Sequence, residues 1–342
     1  MQNTAIIDSD TLDHVVQVAK AAGDTLRAGI LQVLNNESYG VLELGRIFAM
    51  AQPAISHHLR VLSEAGLVSK RKEGTSIFYQ RTNALGEPLL QALFAEIDAK
   101  PVPSEVQKQI KAVYRDRQHH TSEYFATRTD ALTTQQELIC APTVYTAAVL
   151  EAAGINPAAA PPRGRDGKPK ALEIGPGGGD LLTQLSPHCD SVLAIDNSAE
   201  MLAEAASAAA SLPNVELQQQ DFADFQTTTG FDLVLATMVL HHQPSPSQFF
   251  RQVQALLKPN GIFVIAELCA HSHEWVKQHC GDFWLGFSAE QLSHWAAQVG
   301  LTICHHQYFA QRNGFTVQVV AFRPPDTSDQ PNPLDNKTRK PT

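Results

Sequence analysis

The chain has 342 residues, of which 43% are hydrophobic, so it can bury more than one core and is expected to form two domains. Its formal net charge of −9 excludes a globally basic nucleic-acid-binding protein, so any such surface has to be a local basic patch. No apolar run approaches the roughly 20 residues of a membrane span, and the five cysteines lack CxxC spacing, so we expect a cytoplasmic protein with no membrane partner and no disulfide framework.

Composition divides the chain into four predicted parts. Residues 1–100 contain amphipathic helices and a basic hairpin, and residues 101–170 form a helical linker or lid that ends in a connector rich in Pro, Gly and Ala. Residues 171–322 alternate between strands and helices. Residues 323–342 contain almost no large apolar side chain, so we expect a disordered tail.

The stretch GVLELGRIFAMAQPAISHHLRVLSEAGLV predicts a helix, a tight turn and a second helix. On the first helix, Leu42, Leu44 and Ile47 are expected to face inward. The second helix has a buried stripe, and its opposite face carries polar side chains of the kind that read base edges in a major groove: Gln52, Ser56, His57 and Arg60. Taken alone, this helix is explained as well by an ordinary solvated face.

The next segment, SKRKEGTSIFYQR, predicts two short strands around a Glu-Gly turn. Three consecutive basic residues, Lys70, Arg71 and Lys72, lie on it in an otherwise acidic chain. A basic hairpin beside a recognition helix is typical of a winged helix, in which the wing contacts DNA phosphates. Together the two segments favour a DNA-binding module over a solvated helix.

Residues 15–81 resemble the ArsR family of bacterial repressors. GDTLRAGILQVL is similar to that family's second helix, QPAISHHLRVLSEAGLV to its recognition helix and RKEGTSIFYQ to its wing. The resemblance implies a homodimer on a palindromic, double-stranded DNA operator. Many members of the family sense metals through cysteines in the first helix of the helix-turn-helix, or through carboxylates and histidines on the last helix. Here GVLELGRIF and GEPLLQALFAEIDAK contain neither Cys nor His, so no metal effector is expected at those positions.

From Ala171 onward the alternation of strands and helices predicts an α/β, doubly wound, Rossmann-like domain with ligands at the carboxyl ends of parallel strands. The stretch LEIGPGGGD places a glycine-rich loop directly after the first of these strands. A dinucleotide fingerprint would have a third glycine where this loop has Asp180, which argues against a nicotinamide cofactor.

The loop instead resembles the first motif of class I S-adenosylmethionine-dependent methyltransferases. The matching residues are Glu173, Gly175, Gly177 and Gly179, followed by Asp196 and Asn197 after the second strand and by Asp221 and Phe222 after the third. The resemblance implies S-adenosylmethionine or S-adenosylhomocysteine as ligand. The glycines would admit the amino-acid end of the ligand, Asp196 would accept hydrogen bonds from the ribose hydroxyls, and Asp221 would accept one from the adenine amino group.

Catalytic residues are harder to identify, because the methyl donor supplies most of the reactivity in such enzymes. His241 and His242, at the end of the fourth strand, are weak candidates for a general base. The histidine-rich stretch AHSHEWVKQHC matches no compact zinc pattern, so the sequence predicts no metal site.

Two functions of different classes therefore remain open. The fused architecture resembles S-adenosylhomocysteine-responsive ArsR-type regulators, which implies a repressor whose second domain binds the adenosyl ligand as effector. The alternative is an active methyltransferase for a small molecule, of the quinone or arsenite type, that carries a DNA-binding domain. The complete DNA-reading module and the lack of an identifiable catalytic residue favour the regulator.

Overall fold

The computed structural model describes residues 9–35, 37–84, 86–127, 139–156 and 167–325. They fall into two compact units. The first unit groups the described part of Met1–Leu132 with His241–Ser247 and Ala270–Leu285. The second unit contains the described parts of Thr133–Leu240, Gln248–Cys269 and Gly286–Thr342.

The first unit has six helices and a small antiparallel sheet in its N-terminal part. The helices are α1 (Ser9–Ala22), α2 (Thr25–Val33), α3 (Val41–Ile47), α4 (Gln52–Glu64), α5 (Pro88–Asp98) and α6 (Ser104–Thr127). The strands β1 (Tyr39–Gly40), β2 (Val68–Glu73) and β3 (Ser76–Arg81) lie in the order β1-β3-β2. This is the predicted winged helix-turn-helix, with α3 and α4 as the two helices and β2 and β3 as the wing.

Periodic apolar residues form the core of this unit, as predicted for α4, where Ile55, Leu59 and Leu62 are fully buried. On α3 the prediction holds for Leu44 and Ile47 but is wrong for Leu42, which is 67% exposed. Leu42 lies two residues before Leu44, and each helical residue turns by about 100°, so its side chain points to the side of the helix opposite Leu44.

Helix α6 packs within the first unit, which extends past residue 100. The Tyr39 hydroxyl donates to the Tyr114 hydroxyl at 2.9 Å. Arg117 makes a bidentate pair with Glu43 on α3, with donor–acceptor distances of 2.7 and 2.6 Å. Because the buried guanidinium donates to both oxygens of one carboxylate, this pair fixes the orientation of α6 against α3.

The rest of the described chain contains a seven-stranded sheet and six helices. Its strands are β4 (Lys170–Ile174), β5 (Ser191–Asp196), β6 (Val215–Gln219), β7 (Phe231–Thr237), β8 (Leu257–Leu268), β9 (Thr302–Ala310) and β10 (Thr316–Arg323). Its helices are α7 (Thr146–Ala152), α8 (Asp180–Leu185), α9 (Ala199–Ala209), α10 (Pro246–Leu256), α11 (Trp275–His279) and α12 (Ala289–Gln298).

The sheet belongs to the second unit and has the order β6-β5-β4-β7-β8-β10-β9. The first five strands in this order are parallel, whereas β10 pairs antiparallel with both β8 and β9. The chain runs outward from β4 to β6 and then returns to place β7 on the other side of β4. The carboxyl ends of β4 and β7 therefore form the switch point at which doubly wound sheets bind ligands.

The predicted α/β domain is thus confirmed, with a mostly parallel central sheet. Its central strands are apolar on both faces, and Phe263 of β8 stacks on Phe322 of β10 with ring centroids 5.5 Å apart. Within the described ranges, no helix combines the length and hydrophobicity that crossing a bilayer requires. The predicted disordered tail lies outside the described residues from 326 onward, as does the connector over 157–166.

Two segments of the second half of the sequence, 241–247 and 270–285, contact the N-terminal part of the first unit. Arg117 donates to the Pro244 carbonyl at 2.9 Å, and the Ser245 and Ser247 hydroxyls both donate to the Glu37 carboxylate. From the other segment, Trp284 packs on Phe78 of the wing with ring centroids 5.1 Å apart. These segments are therefore integral to the winged-helix unit, an arrangement that the sequence does not predict.

Candidate functional sites

The exposed face of α4 carries the side chains predicted to read DNA. Gln52, Ser56, His57 and Arg60 are all exposed, while Ile55 and Leu59 between them are buried. The Arg60 guanidinium lies 3.3 Å from His57 Nδ1, so these two polar groups present a joint donor surface. Residues 52, 56 and 60 are four residues apart and residue 57 lies three before residue 60, so these side chains follow one side of the helix.

The wing separates its three basic residues onto two faces. Lys70 and Lys72 are exposed, whereas the Arg71 side chain is only 14% exposed and pairs with the fully buried carboxylate of Glu73. The Arg71 guanidinium also lies 5.5 Å from the centre of the Trp284 ring. Strand alternation explains the split, since residues 70 and 72 point away from residues 71 and 73. This arrangement contradicts the expected contact of Arg71 with a phosphate, whereas phosphate contacts by Lys70 and Lys72 stay a prediction.

Arg71 and Glu73 lie on the same face of the wing, which we call its inner face. The Glu73 carboxylate is the acceptor at the centre of this face. Besides Arg71, its carboxylate lies 3.5 Å from the Lys277 ammonium and accepts a hydrogen bond from the Leu285 backbone N–H at 2.8 Å. Burial lowers the pKa of the Arg71 guanidinium, an effect that the Glu73 carboxylate opposes. The wing is thus joined to segment 270–285 by charge-assisted hydrogen bonds.

The glycine-rich loop follows β4 in the second unit, where three of its glycines have positive φ angles: 67° at Gly175, 53° at Gly177 and 82° at Gly179. A Cβ at Gly175 would come within 2.6 Å of Val239 Cγ2, so this position requires glycine for space as well as conformation. A Cβ at Gly177, by contrast, would meet no described atom within 4 Å. The loop therefore packs closely on one side and is open at Gly177.

Glu173 lies at the end of β4, directly before this loop, and is fully buried. Neither of its carboxylate oxygens has a hydrogen-bond partner among the residues that the structure describes. Burial, with a smaller contribution from the negative charge of Asp180, raises the pKa of Glu173 to about 8. At pH 7 this carboxyl is therefore mostly protonated.

Asp196 ends β5 and lies beside the glycine loop. Its Oδ2 is 3.9 Å from where a Cβ of Gly175 would be, and its Oδ1 accepts a hydrogen bond from the Ser198 N–H at 2.8 Å. Burial raises the pKa of Asp196 to about 6, the Ser198 and Asn197 N–H groups oppose that shift, and the charge of Asp221 adds to it. Asp196 is thus mostly ionised at pH 7 and retains acceptor capacity. The neighbouring Asn197 is exposed.

Asp221 and Phe222 follow β6 as predicted, but their side chains differ in accessibility. Asp221 is partly exposed and accepts a hydrogen bond from the Ala223 N–H at 2.9 Å. Phe222 is only 5% exposed and packs on Phe249 with ring centroids 4.7 Å apart. Phe222 is therefore largely buried and supports the Asp221 turn, and its place in the cofactor site stays a prediction.

Residues outside the sequence motifs contribute to the same region of the second unit. Val239 closes one side of the loop at Gly175, and the residue before it, Met238, has a left-handed φ of 57°. Burial raises the pKa of Tyr145, and the nearby Asp180 and Glu173 add smaller contributions to that shift. The sequence gives no indication of Tyr145, which precedes every motif of the second unit. The left-handed backbone conformation of Met238 likewise has no signal in the sequence.

His241 and His242, the weak candidates for a general base, belong to the first unit. Both are buried, and their ring centroids lie 4.1 Å apart. His242 Nδ1 lies 3.2 Å from the Gly281 carbonyl, and burial, followed by the nearby His241, holds the pKa of His242 well below its usual range. A base with so low a pKa is a poor proton acceptor at neutral pH.

Comparisons with known proteins agree with this division of the chain. The family described as "Bacterial regulatory protein, arsR family" matches residues 24–70, and the family described as "Methyltransferase domain" matches residues 166–320. The "Uncharacterized HTH-type transcriptional regulator MJ1325" of Methanocaldococcus jannaschii is 43% identical over 68 residues, which span 20% of this chain and 76% of that protein.

Similarity outside the N-terminal module is lower. Trans-aconitate 2-methyltransferase of Escherichia coli (strain K12 / DH10B) is 31% identical over 94 residues, which cover 28% of this chain and 36% of that enzyme. Among solved structures, the Burkholderia thailandensis 1,6-didemethyltoxoflavin-N1-methyltransferase aligns with a TM-score of 0.48 and 18% identity, over 66% of this chain and 92% of that one. The chain belongs to the ArsR family of bacterial regulatory proteins and carries a methyltransferase domain after its helix-turn-helix.

Proposed function

We propose that this chain is a homodimeric transcriptional repressor that binds operator DNA through α4 and the wing, and S-adenosylmethionine or S-adenosylhomocysteine through the loop after β4. Dimerisation is supported by an apolar face of α1 on which Leu12, Val15 and Val16 are 49%, 40% and 44% exposed. The adenosyl ligand acts as effector in this proposal, since α3 and α5 contain no Cys or His with which to bind a metal.

The observation that carries the ligand half of the proposal is the buried carboxyl of Glu173 at the base of an open glycine loop. Burying a carboxyl without a hydrogen-bond partner is costly, and a cation beside it would offset that cost. Both adenosyl compounds carry an α-ammonium group that can supply this charge. Asp196, close to the same loop, retains acceptor capacity for the two ribose hydroxyls.

Calorimetric titration of the full chain with each adenosyl ligand tests this assignment. Because Glu173 is mostly protonated at pH 7 and an adjacent ammonium favours its ionised form, binding should release a proton. The affinity for the adenosyl ligand should therefore rise as the pH increases toward about 8 and then level off. Heats measured at pH 7 in two buffers of different ionisation enthalpy give the number of protons released.

The Glu173→Gln variant is the matched control, since it keeps the shape of the side chain but has no proton to release. It should bind the ligand more weakly and give the same heat in both buffers after correction for the ligand. Wild-type heats that do not depend on the buffer would contradict the role of Glu173. Micromolar binding of a nicotinamide cofactor, with no binding of the adenosyl compounds, would overturn the ligand assignment.

The DNA half of the proposal predicts different effects for the wing and for α4. Replacing both Lys70 and Lys72 by Ala removes two exposed charges, so binding to all duplex sequences should weaken alike. The slope of log affinity against log salt should fall by about 1.8, at roughly 0.9 for each lost phosphate contact. Electrophoretic or fluorescence titrations at several salt concentrations measure that slope.

Two matched variants separate phosphate contacts from base contacts. Replacing Lys100 and Lys108 by Ala removes two equally exposed charges elsewhere in the first unit and should leave the slope unchanged. Replacing Ser56 and His57 by Ala should instead reduce the preference for the operator by about 1–3 kcal/mol per lost base contact. A salt slope unaffected by the loss of Lys70 and Lys72 would contradict the role of the wing.

Methyl transfer to a small molecule is the second candidate function. It is favoured by the match of residues 166–320 to a methyltransferase family, because one cofactor site serves both a sensor and an enzyme. Turnover of S-adenosylmethionine to S-adenosylhomocysteine with candidate quinone or arsenite acceptors, in the absence of any ligand effect on DNA binding, would support the enzyme over the regulator.

A further inference from the structure

A cluster of metal-binding side chains lies in the first unit, away from the family's usual sensing positions on α3 and α5. Among the described residues, His241, His242 and Asp282 form one group whose potential ligand atoms all lie within 4.8 Å of one another. The three residues are 3%, 8% and 4% exposed, respectively. Two imidazoles and a carboxylate are the ligand set of many catalytic and regulatory sites for Zn²⁺ and similar ions.

The geometry of the cluster is close to that of a bound ion. Metal–ligand bonds of about 2.0–2.2 Å at tetrahedral angles place the ligand atoms roughly 3.3–3.5 Å apart. His241 Nε2 is 3.9 Å from Asp282 Oδ1, so a small contraction would bring these atoms to bonding geometry. His242 Nδ1 faces the Gly281 carbonyl at 3.2 Å and must therefore be the protonated nitrogen, which makes Nε2 the nitrogen that carries a lone pair.

This hydrogen bond is the arrangement that orients histidines in established metal sites, where the second ring nitrogen donates to a carbonyl or carboxylate. Here the carbonyl belongs to Gly281, the residue next to Asp282, so one short segment supplies both a ligand and the group that orients another ligand. We propose that His241, His242 and Asp282 bind a divalent transition metal ion such as Zn²⁺, with the remaining coordination position open to water or an external ligand.

The spacing of histidines in the sequence alone predicts no metal site, and the proposal departs from that prediction. The reason is that the ligands come from two separate segments, 241–242 and 282, which only the fold brings together. The proposal goes beyond the proposed function, since it adds a second effector class bound by side chains other than those proposed for the adenosyl ligand.

Hydrogen bonds join the cluster to the wing. The His241 carbonyl accepts from the backbone N–H groups of Phe283 and Trp284, each at 3.0 Å. Trp284 packs on Phe78 of β3, and the next N–H, that of Leu285, donates to Glu73 of β2 at 2.8 Å. A metal ion that drew His241 and Asp282 together would therefore shift the segment on which the inner face of the wing rests, and DNA affinity should depend on the metal.

The test uses the full chain, stripped of metal with a chelator and then titrated with Zn²⁺ in competition with a chromophoric zinc indicator. We expect one Zn²⁺ per chain, and we expect His242→Gln and Asp282→Asn each to weaken binding at least about tenfold. Asp282→Asn is nearly isosteric, so it keeps the test valid if the histidine variant fails to fold. Circular dichroism without zinc checks the fold of both variants.

His279→Gln is the matched control, because His279 is exposed and lies on the same segment, three residues before Asp282. Its zinc affinity should equal that of the wild type. Zinc binding that is absent in the wild type, or unchanged in both ligand variants, would overturn the site. If zinc binds but the affinity for a duplex from the upstream region of the gene is unchanged, the link to the wing is overturned.

Discussion

Replacing Arg117 by methionine is expected to lower the free energy of unfolding of the winged-helix unit by about 3–5 kcal/mol, because removal of one partner leaves a partly buried carboxylate uncompensated. Arg117 is 3% exposed and makes two hydrogen bonds to Glu43, one to the Ser38 carbonyl and one to the Pro244 carbonyl. Its guanidinium also lies 5.1 Å from the centre of the Phe283 ring. Urea denaturation followed by tryptophan fluorescence measures the loss.

Two variants control for charge and for the general effect of substitution on α6. Arg117→Lys keeps the charge but cannot form the bidentate pair, so it should recover only part of the stability. Arg115 is exposed on the same helix, and Arg115→Met should change the free energy of unfolding by less than about 0.5 kcal/mol. A loss below about 1 kcal/mol for Arg117→Met would show that this pair is not a main support of the unit.

Replacing Asp196 by alanine is expected to weaken binding of the adenosyl ligand by about 2–4 kcal/mol, since each hydrogen bond to a carboxylate contributes roughly 1.5–3 kcal/mol and two ribose hydroxyls lose their acceptor. That loss corresponds to an increase in Kd of about 30- to 1,000-fold. Calorimetric titration at pH 7, where Asp196 is mostly ionised, measures it.

Asp196 also accepts a hydrogen bond from the Ser198 N–H at the start of α9, so its loss could affect the fold as well as the ligand. Asp196→Asn keeps a carbonyl oxygen for that N–H and should still lose most of the ligand affinity. Asp224→Ala removes an exposed carboxylate near Asp221 and should leave the affinity unchanged. Affinities within threefold of the wild type for both Asp196 variants would contradict the ribose assignment.

The DNA-binding helix, the wing and the order of strands and helices could be predicted from the sequence because each depends on local periodicity. The buried stripe of α4 and the alternation along β2 are set by helical and strand geometry. The same alternation could also have separated Arg71 from Lys70 and Lys72, since residues on successive strand positions point to opposite faces. A run of three basic residues in a strand therefore does not place all three side chains on the same face.

Other features depend on contacts between residues far apart in the chain, which one sequence does not record. Segments 241–247 and 270–285 join the winged-helix unit through Glu37, Glu73 and Arg117, although they follow strands of the second unit. Likewise, the glycine motif identifies Glu173 as a site residue, but its complete burial and raised pKa follow from the packed sheet around it.

Operator affinity measured with and without saturating S-adenosylhomocysteine or S-adenosylmethionine shows whether the adenosyl ligand controls DNA binding. A coupling free energy of about 1–3 kcal/mol between two sites corresponds to a change of roughly 5- to 150-fold in that affinity. We predict a change in this range for the wild type. We predict no ligand response for Asp196→Ala, which should retain its DNA affinity without ligand. An operator affinity that neither ligand alters, in protein that binds the ligand, would show that the adenosyl ligand does not control DNA binding.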